Sequence, residues 1–550
     1  MLNLSTYFFK IDQLSIFVGI FIVFFSILTI IYSFGFMRRQ KGLFSYYLYV
    51  VLTLVASLGA VFSNNLILFI VFWGFLGLLL YLLIGYGKKE TTNSTAKKAF
   101  IIIGGTDAIM LLGIAFVWHI TGLLQMDKMS IPLSTRPATL AYLCLAAGAF
   151  AKAGAMPFHT WVPDTAEDAP TPVVAFLPAS LDKLLGIYFL ARISLDIFQL
   201  NPSMNIFLMA IGSFTIMAAV MMALVQHDLK RLLGYHAVSQ VGYMVLGIGT
   251  ANPIGIAGGL FHMLNNTIYK SCLFFGAGAV EKETGTTDLG RLGGLAKIMP
   301  ITFVTFLLAS LAISGVPPFN GFASKWLIYQ GIIETAKAGG HLWVIWLIAA
   351  MFGSALTLAS FMKLVHAVFL GQPSRNIKVN EERIVGSSMF APMITLASLC
   401  VIFGVFAYQI PLKVFIFPSI RIWPRLSGVW NAGAATILIL AGIVIGSIIY
   451  LFSTAVKTRR TESFVGGEDV KSHPDMRVSG TEFYNTIQEI GLLRVIYKLA
   501  KKKVFDLYDV GEKISSGFIK VLRYIHNGVL PTYLGWCLLG TIILFWILLR

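Results

Sequence analysis

The sequence predicts an all-α polytopic membrane protein, and three observations predict it. The chain is 57% hydrophobic with a mean hydropathy of +0.80. Charged residues make up only 12% of it, against about 25% in soluble domains. Apolar stretches of roughly 20 residues, each enough to cross a ~30 Å core as helix, recur along nearly all of its 550 residues. A transmembrane barrel would show alternating ten-residue segments instead, and none are found. The net charge of +17 is read as lysine and arginine flanking the spans, not as a nucleic-acid surface. Cys144, Cys272, Cys400 and Cys537 lie in apolar runs without metal or disulfide spacing.

In chain order, spans are expected near 14–36, 44–62, 65–86, 99–121, 137–155, 172–195, 203–226, 232–250 and 252–280. A proline-broken span near 299–335 follows, then 341–370, 387–408, 430–453 and 531–549, about fourteen in all. No signal-peptide cleavage pattern opens the chain, and the first apolar segment is long enough to be a span. Alternating the sides collects Arg38, Arg39, Lys41, Lys88, Lys89, Lys97, Lys98, Lys230, Arg231, Lys282, Arg291, Lys297, Arg375, Lys378, Arg383 and the whole 454–530 segment on one face. The other face holds only Lys10, Lys128, Arg136, Lys337, Lys413, Arg421 and Arg425. This asymmetry predicts the inner membrane of a prokaryote, both termini outside and the basic loops cytoplasmic. The stretch from 480 to 527 has apolar residues at helical spacing, including Ile487, Ile490, Leu493, Tyr497, Val504 and Tyr508. It predicts an amphipathic surface helix, interrupted near Gly511 and Gly517, with 531–550 as an anchor span.

The chain also repeats weakly. Met156-Pro157-Phe158 and Pro317-Pro318-Phe319 each interrupt an apolar span, and Lys183-Leu184 and Lys363-Leu364 stand at matching offsets in the spans that follow. Two five-helix units, 44–195 and 203–370, start on opposite sides of the membrane and would be inverted repeats. Residues 1–43 then form an N-terminal span, 387–453 two additional spans, and 456–530 the loop and amphipathic helix.

The chemistry concentrates at the breaks. Proline donates no backbone hydrogen bond and clashes with the carbonyl four residues earlier. Pro157 therefore frees the carbonyl of Ala153, beside Lys152 and ahead of a polar loop; Pro317 and Pro318 free Ile313 and Ser314, with Lys325 close by. Broken backbone in a membrane must be buried in protein or face water. Lys183 lies about 16 Å into its span, near the midplane, and Asp182 points about 100° away from it around the helix. Buried ionisable groups at such depth are costly and usually functional, although a structural ion pair gives the same signature. His262, Asn266 and Lys270 form a polar stripe on one span, and His236 and Gln240 a shorter one on the preceding span. A helix-packing network would look the same. Asp107 is a buried carboxylate that can hold or release a lysine's proton electrostatically. Lys363, His366 and Glu334 are further titratable groups, and Arg192, near a helix end, reads as a snorkelling base. There is no phosphate loop, dinucleotide fingerprint, HExxH or cysteine cluster, so no redox cofactor, nucleotide or metal is expected in this chain.

PFHTWVPDTAEDAPTPV, DLKRLLGYHAVSQVGYMVLG, FHMLNNTIYKSCLFFGAGAV, GGLAKIMP and SGVPPFNGFASKWL together resemble the proton-conducting, antiporter-like membrane subunits. That family includes the large antiporter-like subunits of respiratory NADH:quinone oxidoreductase (complex I), with relatives in membrane-bound hydrogenases, formate hydrogenlyase and multisubunit sodium/proton antiporters. The resemblance covers about residues 10–370. It implies two inverted five-helix repeats, a hydrated chain of ionisable residues, a lateral amphipathic helix bracing neighbouring subunits, and other membrane subunits of a redox or antiporter complex as partners. By residue, it implies proton translocation through Lys152, Lys183, His262, Lys270 and Lys325, with Asp107 a looser match. The LDKLLGIY and TEFYNTI stretches lean towards the hydrogenase-like branch. The chain departs from the pattern in three places. Gly74 follows Trp73 where the family carries a glutamate that pairs with the broken-helix lysine. Asn266 stands where many members have a second histidine. The first span resembles the family's third, so two N-terminal spans have no counterpart. The expected function is translocation of protons, or of sodium, coupled to electron transfer in partner subunits. Two readings stay open beside it: a transport-silent structural subunit, and membership of a sodium/proton antiporter with no redox partner.

Overall fold

The structure is a computed structural model that describes residues 7–337, 339–372, 385–424, 432–452 and 480–549. Arg375, Lys378, Arg383, Arg425 and the loop 456–479 lie outside the described residues. The chain divides into two compact units, Met1–Thr486 and Ile487–Arg550.

The first unit is built from helices: α1 Gln13–Phe36, α2 Leu43–Phe62, α3 Leu66–Ile84, α4 Thr92–Thr121, α5 Arg136–Ala153, α6 Trp161–Asp168 and α7 Thr171–Ile197. Then follow α8 Pro202–Leu224, α9 Leu229–Gly249, α10 Pro253–Thr284, α11 Pro300–Ser314, α12 Asn320–Lys337, α13 Trp343–Leu370, α14 Ser387–Val405 and α15 Ala432–Phe452. The second unit holds α16 Gly491–Lys501, α17 Leu507–Ile525 and α18 Leu530–Leu548. Among the described residues nine helices are long and apolar enough to cross a membrane: α1 to α4, α7, α8, α13, α14 and α18. The chain is a multi-pass membrane protein. Its outer helices expose large apolar side chains such as Phe44, Trp118, Phe214 and Ile348, which suits a lipid surface and not water.

The helix starts are legible as local chemistry. Asp12 and Ser15 form a reciprocal capping box at α1. Asn65, Thr135, Asn201, Asp228 and Asn252 each cap the helix that follows them, satisfying amide groups that have no intrahelical acceptor. Where the chain leaves a helix in apolar surroundings these caps matter more, because no water can replace them.

The core of the unit is α7, α9 and α10. The most apolar window of α7 is wholly buried, and α9 and α10 are buried almost from end to end. These three helices carry most of the titratable groups that the sequence singles out.

Three expectations need correction. The polar loop after Pro157 contains a helix, α6, held by ions on both sides. Asp164 pairs with Lys98 at 2.8 Å and Arg231 at 3.3 Å, and Glu167 with Arg231 at 2.7 Å and Lys89 at 3.1 Å. Eight residues are too few for a stable isolated helix, so tertiary ion pairs hold it. Arg192 does not snorkel. It makes a two-toothed contact with Asp12 at 2.6 and 2.9 Å, reaches Asp196 at 2.7 Å, and donates to the hydroxyl of Tyr188 at 3.1 Å. Finally, the amphipathic stretch breaks at 502–506 and not at Gly511 or Gly517, which lie inside α17. Lys503 adopts a left-handed conformation, φ 56°, and Asp506 caps the new helix through the amide of Tyr508.

Two outcomes follow from these ion pairs. Arg192→Gln removes the guanidinium from two buried carboxylates and should cost about 3 kcal/mol, read as a lower unfolding temperature in detergent. Burial pushes the Glu167 carboxyl up, but the Arg231 hydrogen bond and the charges of Arg231 and Lys89 outweigh it and hold the group below its ordinary value. Its stabilisation is therefore complete above the unfolded value of about 4.3 and is lost as pH falls through the lower folded value. Glu167→Gln should flatten the acid limb of a stability-against-pH curve; an unchanged limb would assign that limb to other groups.

Candidate functional site

The site begins with two elbows of the same design. α5 ends at Ala153 and α11 at Ser314, and each is followed by a glycine in the left-handed region, Gly154 at φ 79° and Gly315 at φ 81°. Only glycine takes that conformation without cost. In both elbows the next amide turns back five residues, Ala155 to Phe150 at 2.8 Å and Val316 to Leu311 at 3.1 Å, a Schellman-type stop. A proline three residues after the glycine, Pro157 and Pro318, sits on a cis bond in each. The pattern Gly-x-x-Pro inside an apolar run is the sequence signal that marks both glycines.

The freed carbonyls have partners. Lys183 Nζ donates to the carbonyl of Ala153, and Lys325 Nζ donates to that of Ile313 at 2.9 Å. These are the carbonyls that the prolines release, so proline chemistry identifies the acceptors and the fold supplies the donors. The indole of Trp161 takes a further loose carbonyl, that of Ala151, at 3.0 Å. A side chain on either glycine would press on the lysines: a Cβ at Gly154 comes within 3.0 Å of Lys183 Nζ, and one at Gly315 within 3.1 Å of Lys325 Cδ.

Lys152 and Lys270 follow the same rule. Lys152 donates to the carbonyl of Trp73 at 3.4 Å and Lys270 to that of Leu233 at 2.8 Å. Each of the four ammonium groups also faces an aromatic ring: Lys152 with Trp73 at 5.0 Å, Lys183 with Trp161 at 6.0 Å, Lys270 with Phe361 at 5.6 Å and Lys325 with Tyr243 at 4.9 Å. Ring faces attract cations. All four lysines are 2% exposed or less, and among the described residues none has a carboxylate within 4 Å. A carbonyl accepts a hydrogen bond from a neutral amine as well as from an ammonium, so the cradle holds the group in either state.

Longer-range charges connect the lysines in order. Lys152 interacts with Asp182 and Asp107, and Lys183 with Asp182. Asp182, turned away from Lys183 as helix geometry requires, thus serves Lys152. Lys270 interacts with Lys183, His236 with Lys270 and Lys325, and His262 with Lys325. Hydrogen bonds fill in the second half. His236 Nε2 meets Ser360 Oγ at 2.8 Å, His262 Nδ1 meets Ser324 Oγ at 2.9 Å, and His262 Nε2 meets Gln240 Oε1 at 3.1 Å. The Asn266 amide, Gln240 Nε2, His236 Nδ1 and Asp182 Oδ2 are buried without a hydrogen-bond partner among the described residues.

The remaining candidates separate from this line. Lys363 donates to the carbonyls of Leu224 and Gln226 at 2.8 and 3.1 Å, closing the end of α8, and among the described residues it makes no ion pair. Glu334 pairs with Lys337 at 2.7 Å near the end of α12. A feature that the sequence reading does not anticipate is Ser180 and the turn that contains it. Residues 177–181 of α7 widen into a π-turn just before Asp182, and Ser180 Oγ lies 2.8 and 2.6 Å from the carbonyls of Ala175 and Phe176, to which it donates. Pro178, which cannot donate within the helix, is the available signal.

A multi-pass helical bundle with two glycine-proline elbows and a buried, carbonyl-cradled file of lysines defines an ion-handling class of membrane protein. Residues 63–357 match the family described as NADH:quinone oxidoreductase/Mrp antiporter, transmembrane, and the chain belongs to that family. It is 30% identical over 527 residues to the largest-scoring region of a Na(+)/H(+) antiporter protein of Alkalihalophilus pseudofirmus, covering 88% of this chain and 65% of that protein. It is 35% identical over 366 residues to the chloroplastic NAD(P)H-quinone oxidoreductase subunit 5 of Chaetosphaeridium globosum, covering 62% of this chain and 53% of that one. The matches thus span about half to two thirds of these curated relatives. The fold is similar to a chain of the membrane-bound sulfane sulfur reductase, an archaeal respiratory membrane complex, with a TM-score of 0.80, 22% identity, and coverage of 98% of this chain and 89% of that one. A chain of the Mrp complex from Dietzia sp. DQ12-45-1b matches with a TM-score of 0.67 at 23% identity, covering 75% of this chain and 84% of the other.

The packing around the site makes one contrast testable. A Cβ at Gly74 meets nothing within 4 Å, whereas one at Gly186 meets Ala153 N at 2.5 Å and Ala149 O at 2.8 Å. Gly74→Glu should therefore leave yield and unfolding temperature near those of the parent. Gly186→Ala should destabilise by about 1–3 kcal/mol in the same thermal assay.

Proposed function

We propose that this chain is a proton- or sodium-translocating, antiporter-like subunit of a multisubunit membrane oxidoreductase, and that its buried lysines carry the charge movement. The single observation behind this reading is the repeated cradle of Lys152, Lys183, Lys270 and Lys325, each on a backbone carbonyl and an aromatic face. A structural lysine would be expected to have a carboxylate at contact distance. Among the described residues these have none, and their neighbours communicate by charge over longer range. Protonation of one lysine then disfavours protonation of the next, which is what a stepwise relay needs. The buried amides of Gln240 and Asn266 without partners are positions where water completes the line.

The finer architecture belongs to the same proposal. About fourteen spans form an N-terminal helix, inverted repeats at 44–195 and 203–370, two further spans at 387–453 and an anchor at 531–550. The paired elbows at Gly154 and Gly315 support the repeat. The basic loops face the cytoplasm of a prokaryotic inner membrane and both termini the outside. The amphipathic α16 and α17 act as a short lateral brace for neighbouring membrane subunits. Coupling begins with electron transfer in those partners and passes along the lysines.

Gly74 raises the second reading, a silent first half. Against it, Asp107 and Asp182 both act on Lys152, so the lysine keeps carboxylates without a glutamate at that position. The test uses the native complex in proteoliposomes, with ion movement and electron flow measured together. Lys183→Met and Lys325→Met should each lower the ion-to-electron ratio by at least half while electron flow continues. An unchanged ratio in both variants would sink the transport reading. Asp107→Asn should lower pumping too; no change there, with loss in Lys325→Met, would confine transport to the second half.

A further inference from the structure

The basic side of the first unit contains a cleft that the ion route does not use. It has a volume of about 450 Å³ and is formed by the ends of α1, α3, α6 and α10 together with Lys230 of α9. Six cations line it, against the carboxylates of Glu167, Asp168 and Glu281. The carboxylates are already engaged. Glu167 and Asp168 lie on Lys89 at 3.1 and 3.7 Å, Asp168 also receives Thr95 at 2.6 Å, and Glu281 holds Lys230 at 3.2 Å and Thr171 at 2.8 Å. Among the described residues Arg38, Arg39 and Lys88 have no ion-pair or hydrogen-bond partner, and Arg38 and Arg39 both repel Lys282, whose Nζ is fixed on the carbonyl of Gly35 at 2.7 Å. A concave surface that gathers four cations and leaves their repulsion uncompensated is suited to an anion.

The height of the cleft narrows the choice. The apolar helices α1 and α3 end at Phe36 and Ile84, so Arg38 and Lys88 stand two and four residues beyond them. That is the depth of the polar headgroup layer, which adds roughly 5–7 Å to each side of the hydrocarbon. Tyr86 and Phe36 also line the cleft, and aromatic side chains favour this interface. Paired guanidinium groups match phosphate oxygens two at a time, and basic pockets between helices at this level suit acidic lipid headgroups.

We propose that this cleft is a phosphate-recognition site, with Arg38, Arg39 and Lys88 as its free cations and Lys282 as its fixed one. The phosphate reaches it either as the headgroup of an anionic phospholipid or as a soluble ion. The test takes the full chain, purified and stripped of lipid in neutral detergent, and follows thermal unfolding and native mass. Phosphatidylglycerol, phosphatidylcholine and inorganic phosphate are titrated separately into the parent and into the Arg38→Ala/Arg39→Ala/Lys88→Ala variant. These side chains are unpartnered, so the variant should fold; the single Arg39→Gln variant gives a graded second reading. Stabilisation by phosphatidylglycerol but not phosphatidylcholine, with roughly tenfold or more weakening in the triple variant, upholds the site and names a lipid. The same variant-sensitive response to inorganic phosphate alone upholds the site and names a soluble anion. Equal responses of parent and triple variant to every addition would overturn it.

Discussion

A backbone carbonyl released in the middle of a membrane must find a donor inside the protein, because the surrounding hydrocarbon offers none. The arrangement of this molecule follows from how that demand is met. At Ala153 and Ile313 the donor is a lysine, which brings a positive charge into the interior at the place where the helix is broken. The elbow supplies an acceptor and a turn, and the lysine supplies a proton that can be kept or given up. Structure and reactivity are therefore the same contact, and the glycine that makes the turn also leaves the space in which the ammonium lies.

The two halves solve the charge problem differently. In the first, Asp107 and Asp182 act on Lys152, and Asp182 on Lys183. In the second, the neighbours of Lys270 and Lys325 are the imidazoles of His236 and His262, with serines, Gln240 and Tyr269. A half with carboxylates can hold protons on its lysines without raising its net charge. A half made of bases gains charge with every proton it accepts, and repulsion limits how many it can hold. The file is thus directional in its electrostatics although the elbows match. Gly74 fits within this: the carboxylate expected beside Trp73 is missing, but two others reach the same lysine.

Much of this is legible in the sequence, for physical reasons. Apolar length and polar caps locate the helices to within a few residues, because hydrocarbon permits few other ways to satisfy a backbone. Proline chemistry alone points to Ala153 and Ile313. What cannot be read is which side chain crosses from another helix to a given group. Arg192 reads as a helix-end base until Asp12, 180 residues away in sequence, is brought against it. The helix at Trp161–Asp168 is too short to announce itself, and exists through ion pairs to α4 and α9. Lys363 reads as a counterpart of Lys183 by offset alone, yet it closes the end of α8. In each case the missing information is tertiary.

The two elbows differ in how far the chain must run before they are complete. Ile313 is served from 12 residues on, by a lysine of the half-helix that follows its own break. Ala153 waits for Lys183, 30 residues on, in the next span. During membrane insertion the second elbow can close as soon as its own hairpin has formed. The first stays open until α7 has entered the bilayer beside it, so α5, α6 and α7 have to be integrated as one unit, and the lysine that later handles charge is also what lets that unit be released into lipid.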